Sequence, residues 1–304
     1  MTKLFHNLSS LGADGLIKTL DLADRLKQTR GQLTTFPLTG KQVALVFEKA
    51  STRTRVSLEV AVSELGGHPL VLTSAGSQMG RGEPIQDTAR VLGRMAHAIA
   101  FRTSDEQRLL AMSKHSGRPV LNALTDQSHP MQLLADLQTV RAEFGQLKDL
   151  SYAWIGDGNN MAQSWIEAAG LLGFRLRLAC PSGFEPQAQW LDAARAAGAD
   201  VQVTSDPVEA VQQAHVVSTD VFASMGQEDE AGSRLRAFSG FQVNAALMKH
   251  AAANAIVLHC LPAHRGEEIS EEVLEGPQSR VWDEAEARLH TAKALLLWAF
   301  DSTV

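Results

Sequence analysis

Short apolar runs rich in β-branched residues alternate along this chain with longer segments of helical periodicity, and this alternation is what most constrains its fold. Uninterrupted apolar strands are typical of parallel sheets covered by helices on both faces. The sequence therefore predicts an α/β fold with two doubly wound parallel sheets. The predicted strands are Val43–Phe47, Leu70–Thr73, His97–Phe101 and Val120–Ala123 in the first half, and Tyr152–Ile155, Leu176–Ala179, Val201–Thr204, Val216–Thr219 and Ile256–His259 in the second.

The chain is long enough for two domains of similar size, because 44% of its 304 residues are hydrophobic. Helical spacing over Met131–Phe144 predicts a helix that joins the two domains. The last segment predicts an amphipathic helix that packs back on the first domain, with one apolar face made of Leu289, Ala292, Leu296 and Ala299. The predicted divisions are residues 1–135, 136–284 and 285–304.

Charge and cysteine usage exclude several classes of protein. A net charge of −6 disfavours a nucleic-acid partner, which requires a basic surface. Cys180 and Cys260 stand outside any cluster with metal-ligand spacing, which predicts a reduced, cytoplasmic protein without a metal centre. The sequence has neither an apolar leader nor a run of about 18 apolar residues, so we expect no export signal and no membrane span.

Hydroxyl and arginine side chains follow the strand V-A-L-V-F, where a helical segment begins. They are Ser51, Thr52, Arg53, Thr54 and Arg55. Unpaired amides at a helix start, hydroxyl donors and arginine forks together suit a phosphate. Simple helix capping would account for Ser51 and Thr52 alone. Two arginines in the same turn favour anion binding.

Five motifs occur in order along the chain: F-E-K-A-S-T-R-T-R, H-P-M-Q, G-D-G-N-N, D-V-F-A-S-M-G-Q-E and H-C-L-P. As a set they resemble the aspartate/ornithine carbamoyltransferase family over nearly the whole length, and within it the ornithine enzymes. The first two motifs are shared with the aspartate enzymes and indicate the donor, carbamoyl phosphate. S-M-G and H-C-L-P indicate the acceptor. The resemblance implies carbamoyl transfer to the side-chain amine of L-ornithine, giving citrulline and phosphate, with no cofactor.

The same resemblance implies which residues bind the substrates. Those for carbamoyl phosphate are Ser51, Thr52, Arg53, Thr54, Gln78, Arg102, His129, Gln132, Cys260, Leu261 and Arg288, and those for ornithine are Asn160, Asp220, Ser224 and Met225. Arg102, His129 and Cys260 are the predicted catalytic residues. A histidine donor beside an arginine would polarise the carbonyl and stabilise the oxyanion. Cys260 is not expected to be a covalent nucleophile, because the amine of ornithine can attack directly.

The segment Ser77–Glu83 resembles a loop that family members insert into a neighbouring subunit's active site. If Gln78 serves in this way, the assembly is a ring of at least three chains, a homotrimer or a multiple of trimers. The loop lacks the lysine of the aspartate enzymes, which favours ornithine. Phe222, Met131 and Ala263 depart from the commonest family pattern. Some members carry an arginine where this chain has Ala263, and here Arg265 lies two residues further on. These departures are at neighbours of the binding residues and leave the expected chemistry unchanged.

Three alternatives compete with this interpretation. Another carbamoyltransferase would use aspartate, N-acetylornithine or putrescine as acceptor. A non-catalytic protein on the same scaffold would bind phosphate without turnover. A nicotinamide-dependent dehydrogenase is suggested by G-D-G after a strand, but Met161 replaces the third glycine of the fingerprint and no acid follows at the required spacing.

Overall fold

The computed structural model describes residues 2–223 and 231–303. By internal contacts the chain divides into unit 1, formed by Met1–Gln138 and Glu286–Val304, and unit 2, formed by Thr139–Ala285. Within the described ranges, no helix combines the length and the apolar character needed to cross a bilayer.

Unit 1 contains a five-stranded parallel sheet. Its strands are β1 (Leu4–Phe5), β2 (Gln42–Phe47), β3 (His68–Thr73), β4 (Ala98–Arg102) and β5 (Val120–Leu124), in the order β1-β5-β4-β2-β3. Strand β4 is buried at every position, as expected for a central strand covered on both faces. The helices are α1 (Gly12–Gln28), α2 (Arg53–Glu64), α3 (Ile85–Met95), α4 (Glu106–Ser116), α5 (Pro130–Phe144) and α12 (Val281–Ala299), with 3₁₀ turns at Leu8–Ser10, Ser74–Gly76 and Gln78–Arg81.

Unit 2 contains a second five-stranded parallel sheet. Its strands are β6 (Ser151–Ile155), β7 (Arg175–Ala179), β8 (Val201–Thr204), β9 (Val216–Thr219) and β10 (Ile256–His259), in the order β10-β9-β6-β7-β8. The helices are α6 (Asn160–Leu172), α7 (Ala188–Ala196), α8 (Pro207–Val211), α9 (Ala231–Ala237), α10 (Ala245–Met248) and α11 (Glu271–Leu274). Two parallel α/β sheets confirm the predicted fold class. Strand β1 was missed because two residues carry no periodicity.

The division between the units falls inside two helices. It lies between Gln138 and Thr139 in α5, and between Ala285 and Glu286 in α12.

The expectation that the last helix has a single apolar face is wrong. From Leu289 to Leu297 every residue is buried, because Ala294, Leu295 and Leu297 fill the remaining sides. The one lysine in this stretch, Lys293, is accommodated by an ion pair with Glu64.

Both sheets reverse their strand order in the middle. The chain runs from β2 outward to β3 and then returns to the other side of β2 with β4; it likewise runs from β6 through β7 and β8 and returns to the other side of β6 with β9. In open α/β sheets, ligands bind beyond the carboxyl ends of the strands at such a switch point. The fold therefore marks one edge in each unit as a candidate site.

Candidate active-site residues in the two units

Three neighbouring strands of unit 1 end at the motifs found in the sequence. Phe47 at the end of β2 pairs in register with Arg102 at the end of β4, and Arg102 pairs with Leu124 at the end of β5. The S-T-R-T-R segment follows β2, and the loop to His129 follows β5. The parallel register thus brings Arg102 and two motifs that are distant in sequence to one edge of the sheet.

Two buried arginines meet at one threonine hydroxyl on this edge. Thr54 Oγ1 accepts from Arg288 Nη2 at 2.6 Å and lies 3.5 Å from Arg102 Nη1, which also donates to Ser51 Oγ at 3.2 Å. The exposed fraction is 8% for Arg102 and 3% for Arg288. Neither arginine is therefore a solvent-exposed charge on the protein surface. Like charges held this close repel unless an anion offsets them.

Helix α2 begins at Arg53, between Ser51 and Thr54, the two hydroxyl residues that lie next to Arg102. Thr52 occupies the N-cap position, but its side chain makes no capping hydrogen bond to the helix. Capping therefore does not account for Thr52. The first amides of a helix lack partners within it and favour negative charge. This segment has the chemistry of an anion site.

The His129 side chain is buried, and the residue before it, Ser128, is held by a hydrogen bond from Asn122. Asn122 on β5 donates through Nδ2 to Ser128 Oγ at 3.1 Å and to the His6 carbonyl at 2.7 Å. Burial lowers the pKa of His129 well below its usual 6.5, and the positive charges of Arg288, Arg102 and Arg53 lower it further. The imidazole is accordingly neutral at physiological pH. Asn122 was not among the predicted residues, although it lies in the strand before the motif.

Gln132 is held between an arginine and an aspartate. Its Oε1 accepts from Arg288 Nη1, and its Nε2 donates to Asp136 Oδ1 at 2.8 Å, one turn along α5. The amide orientation is thereby fixed on both sides. By contrast, Gln78 lies exposed at the start of the 3₁₀ turn Gln78–Arg81.

Glu48 is a second residue that the sequence did not single out. Its carboxylate accepts a forked interaction from Arg108, with Nη2 2.5 Å and Nε 3.0 Å from Oε1, and a hydrogen bond from Thr103 Oγ1 at 2.5 Å. Its backbone amide donates to the Arg102 carbonyl at 2.9 Å. Glu48 therefore ties the end of β2 to the end of β4.

Unit 2 repeats the arrangement of strand ends. Ile155 of β6 pairs with Thr219 of β9, and Thr219 pairs with His259 of β10. The residues that follow these strands include Asp220 and Cys260. Cys260 Sγ donates to Asp220 Oδ1 at 3.1 Å, so two motifs 40 positions apart are in contact.

Asn159 links the G-D-G-N-N turn to Asp220. Its Oδ1 accepts from the amides of Met161 and Ala162, which caps helix α6, and its Nδ2 donates to Asp220 Oδ2 at 3.1 Å. The sequence placed the binding role on Asn160 and gave none to Asn159. Asn160 is the first residue of α6, at the positive end of the helix.

The H-C-L-P segment is held by a buried histidine. His259 Nδ1 accepts from the Leu261 amide at 2.9 Å, so Nε2 carries the proton and donates to Glu268 Oε1 at 2.9 Å. Both side chains are fully buried. Leu261 has a φ of +58°, a left-handed conformation that costs a non-glycine residue about 1–3 kcal/mol. The His259 bond helps hold it there.

Gly158 is required by close packing of two backbone segments. A Cβ at this position would lie 2.2 Å from Pro186 N, and the Gly158 amide donates to the Phe184 carbonyl at 2.8 Å. The second glycine of G-D-G thus has a structural role within unit 2. It need not leave room for a dinucleotide phosphate.

An arginine and an aspartate stabilise the segment around Phe222. Arg234 donates to the Asp157 carboxylate and to the Phe222 carbonyl, and its guanidinium lies 4.8 Å from the Phe184 ring centre. Burial raises the pKa of Asp157, while the charge of Arg234 opposes that shift. Phe222 stacks on Phe238 with ring centres 4.5 Å apart. The predicted residues Ser224 and Met225 lie outside the described residues.

Two family models match the chain, one in each half. Residues 3–142 match the carbamoyl-P binding domain, and residues 148–299 the Asp/Orn binding domain, of aspartate/ornithine carbamoyltransferase. The chain is 50% identical over 298 residues to the ornithine carbamoyltransferase of Geobacter metallireducens, covering 97% of this chain and 98% of that protein.

Solved structures are similar over the same length. The crystal structure of ornithine carbamoyltransferase from Thermus thermophilus has a TM-score of 0.90 at 44% identity, covering 98% of this chain and 99% of that one. The anabolic ornithine carbamoyltransferase from Campylobacter jejuni has a TM-score of 0.93 at 37% identity, covering 99% of each chain.

Proposed function

The chain belongs to the aspartate/ornithine carbamoyltransferase family, and on that basis we propose that it transfers the carbamoyl group of carbamoyl phosphate to the side-chain amine of L-ornithine. The products are L-citrulline and phosphate. The observation that carries the donor assignment is the meeting of Arg102 and Arg288 at the Thr54 hydroxyl. A phosphate dianion would offset both charges and accept from the neighbouring hydroxyls.

The phosphate of the donor binds to the S-T-R-T-R segment in this proposal. Ser51, Thr52 and Thr54 supply hydroxyl donors, Arg53 supplies a guanidinium, and the first amides of α2 complete the set. Arg288 orients the site by bonding Thr54 and Gln132 together. Gln132 contacts the carbamoyl group.

His129 and Arg102 act on the carbamoyl carbonyl. The neutral imidazole donates its N–H to the carbonyl oxygen, and the arginine adds a positive charge. Both stabilise the negative charge that develops on that oxygen when an amine adds, and one such donor typically contributes about 3 kcal/mol. The lowered pKa of His129 keeps the ring a neutral donor over the physiological range.

The neutral amine of ornithine attacks the carbonyl carbon in the bond-forming step. The nitrogen loses its proton to the departing phosphate, the C–O bond to phosphate breaks, and phosphate leaves with the electron pair of that bond. The reference pKa of such an amine is about 10.4, so the rate should rise with pH. The acyl phosphate bond is already activated, so neither a metal nor an organic cofactor takes part.

The acceptor binds to the residues of unit 2. Asp220 meets the α-ammonium group, Asn160 the α-carboxylate, and Ser224 and Met225 the rest of the amino acid. Cys260 lies near the side-chain amine, and the Leu261 carbonyl accepts from the carbamoyl NH₂. The contact between Cys260 and Asp220 and the bond from Asn159 to Asp220 support this assignment. We assign residues 1–135 to donor binding, 136–284 to acceptor binding and 285–304 to a helix that completes the donor domain.

Membership of the same family is also the basis for proposing an oligomeric state and a cellular location. We propose a cytoplasmic homotrimer, or a multiple of trimers, in which Gln78 enters a neighbouring subunit's site. Exposure of Gln78 supports this role. The similarity to an enzyme named anabolic supports a place in arginine biosynthesis.

The test is a joint assay of citrulline and phosphate with carbamoyl phosphate and ornithine as substrates. We expect one phosphate per citrulline in the wild type, and loss of both in His129→Ala and Asp220→Ala. His250→Ala, a change at an exposed histidine, serves as control. Binding of phosphate without citrulline formation would favour the non-catalytic alternative instead.

A further inference from the structure

A tight turn after H-C-L-P places two potential metal ligands side by side. The Glu267 amide donates to the His264 carbonyl at 2.9 Å, and Gly266 has a φ of +92°, which suits the third position of a type II turn. His264 Nδ1 and Glu267 Oε2 are 3.4 Å apart. Two donors that each lie about 2.1 Å from one tetrahedral ion are about 3.4 Å apart.

The next residue, Glu268, brings a buried carboxylate to the same place. Its Oε1 accepts from His259 Nε2 at 2.9 Å and from the His264 amide at 2.6 Å. Its Oε2 is buried and makes no hydrogen bond to any residue within the described ranges. A buried carboxylate oxygen left unsatisfied is costly and calls for a partner. Ligand atoms of His264, Glu267 and Glu268 all lie within 4.8 Å of one another.

We propose that His264, Glu267 and Glu268 form a binding site for a divalent transition-metal cation, for which Zn²⁺ is the first ion to test. Two carboxylates neutralise the dication, and an imidazole nitrogen favours Zn²⁺ over Mg²⁺ or Ca²⁺, which prefer oxygen ligands. Three protein ligands leave a fourth position for water. The site is distinct from the carbamoyl-transfer residues and does not depend on the proposed function.

A second group, Asp220, His259 and Cys260, also has ligand atoms within 4.8 Å of one another. It is the weaker candidate, because both ring nitrogens of His259 are already engaged, by the Leu261 amide and by Glu268. It must still be separated from the proposed site in any binding experiment.

The test is equilibrium dialysis of the full-length, chelator-treated protein against Zn²⁺, with bound metal measured by elemental analysis. Removing a ligand should weaken binding at least as much as the 10- to 100-fold typical of lost supporting residues. We expect that loss in His264→Ala and in Glu267→Gln, with wild-type affinity in His250→Ala and in Cys260→Ala. Equal affinity in all variants, or a loss confined to Cys260→Ala, would overturn the proposal.

Co²⁺ provides an independent readout on the same protein. The proposed nitrogen and oxygen ligands give weak visible bands without thiolate-to-metal charge transfer in the near ultraviolet. These bands should vanish in His264→Ala. A charge-transfer band that disappears in Cys260→Ala would place the ion at the cysteine and contradict the proposal. No bound metal at all would mean that water satisfies Glu268 Oε2, and the proposal would fail.

Discussion

Arg288 and Thr54 lie 234 positions apart in the sequence, yet the Arg288 guanidinium donates to the Thr54 hydroxyl at 2.6 Å, and both belong to unit 1. The same guanidinium reaches Gln132. The last helix therefore supplies a buried charge that organises the donor residues contributed by α2 and α5.

Replacing Arg288 by lysine tests this organising role. A lysine keeps the charge, but its single ammonium cannot reproduce the planar fork that reaches both Thr54 and Gln132. Loss of a hydrogen bond to a charged group costs about 1.5–3 kcal/mol, so KM for carbamoyl phosphate should rise about 10- to 100-fold. Steady-state kinetics check this, with Arg25→Lys on the exposed side of α1 as control. An unchanged KM would remove Arg288 from the donor site.

The lowered pKa of His129 predicts a pH dependence of stability. The folded protein binds a proton here less readily than the unfolded chain, so the stabilisation is complete above the unfolded pKa, about 6.5, and is lost as pH falls below it. His129→Asn should therefore flatten the decline of Tm between about pH 6.5 and 5. His250→Asn should leave that decline as in the wild type. Equal slopes in the wild type and His129→Asn would contradict a depressed pKa.

Cys260 is predicted to act as a hydrogen-bond donor and not as a covalent nucleophile. Cys260→Ser keeps a donor toward Asp220, whereas Cys260→Val removes it, so kcat should fall much further in the valine variant. Intact-mass measurement after mixing wild-type protein with carbamoyl phosphate alone should find no carbamoyl adduct. An adduct that disappears in Cys260→Ser would establish covalent catalysis.

The buried pair of Asp157 and Arg234 predicts a large effect on stability. Arg234→Met leaves the Asp157 carboxylate without its counter-charge and should lower the free energy of unfolding by about 3–5 kcal/mol. The double variant Asp157→Asn with Arg234→Met should recover part of this loss, because no unpaired charge remains. Urea denaturation checks both. Additive losses in the double variant would mean that the two side chains are not coupled.

The sequence predicted the strands because buried parallel strands carry uninterrupted apolar runs, and the family resemblance supplied the donor and acceptor motifs that follow several of them. Arg102 and Asp220 were also named through the resemblance, and their positions at or just after strand ends agree with the rule that ligands bind beyond the carboxyl ends of parallel strands. Arg288 was identified only through resemblance, since nothing in its neighbourhood distinguishes it from a surface charge. Asn159, Glu48 and Asn122 were missed because their roles depend on side-chain contacts with distant segments, and single polar residues carry no periodic signal. The predicted domain boundaries and the roles of the site residues stay predictions.

The most direct test of the central claim is the acceptor specificity of the purified protein. Carbamoyl phosphate should be offered with ornithine, aspartate, N-acetylornithine or putrescine in parallel, and kcat/KM measured for each. We predict a preference for ornithine of at least about 10³-fold, because acylation removes the ammonium group that meets Asp220 and putrescine lacks the carboxylate that meets Asn160. Higher kcat/KM with any other acceptor would contradict the ornithine assignment, and no turnover with any of them would contradict catalysis itself.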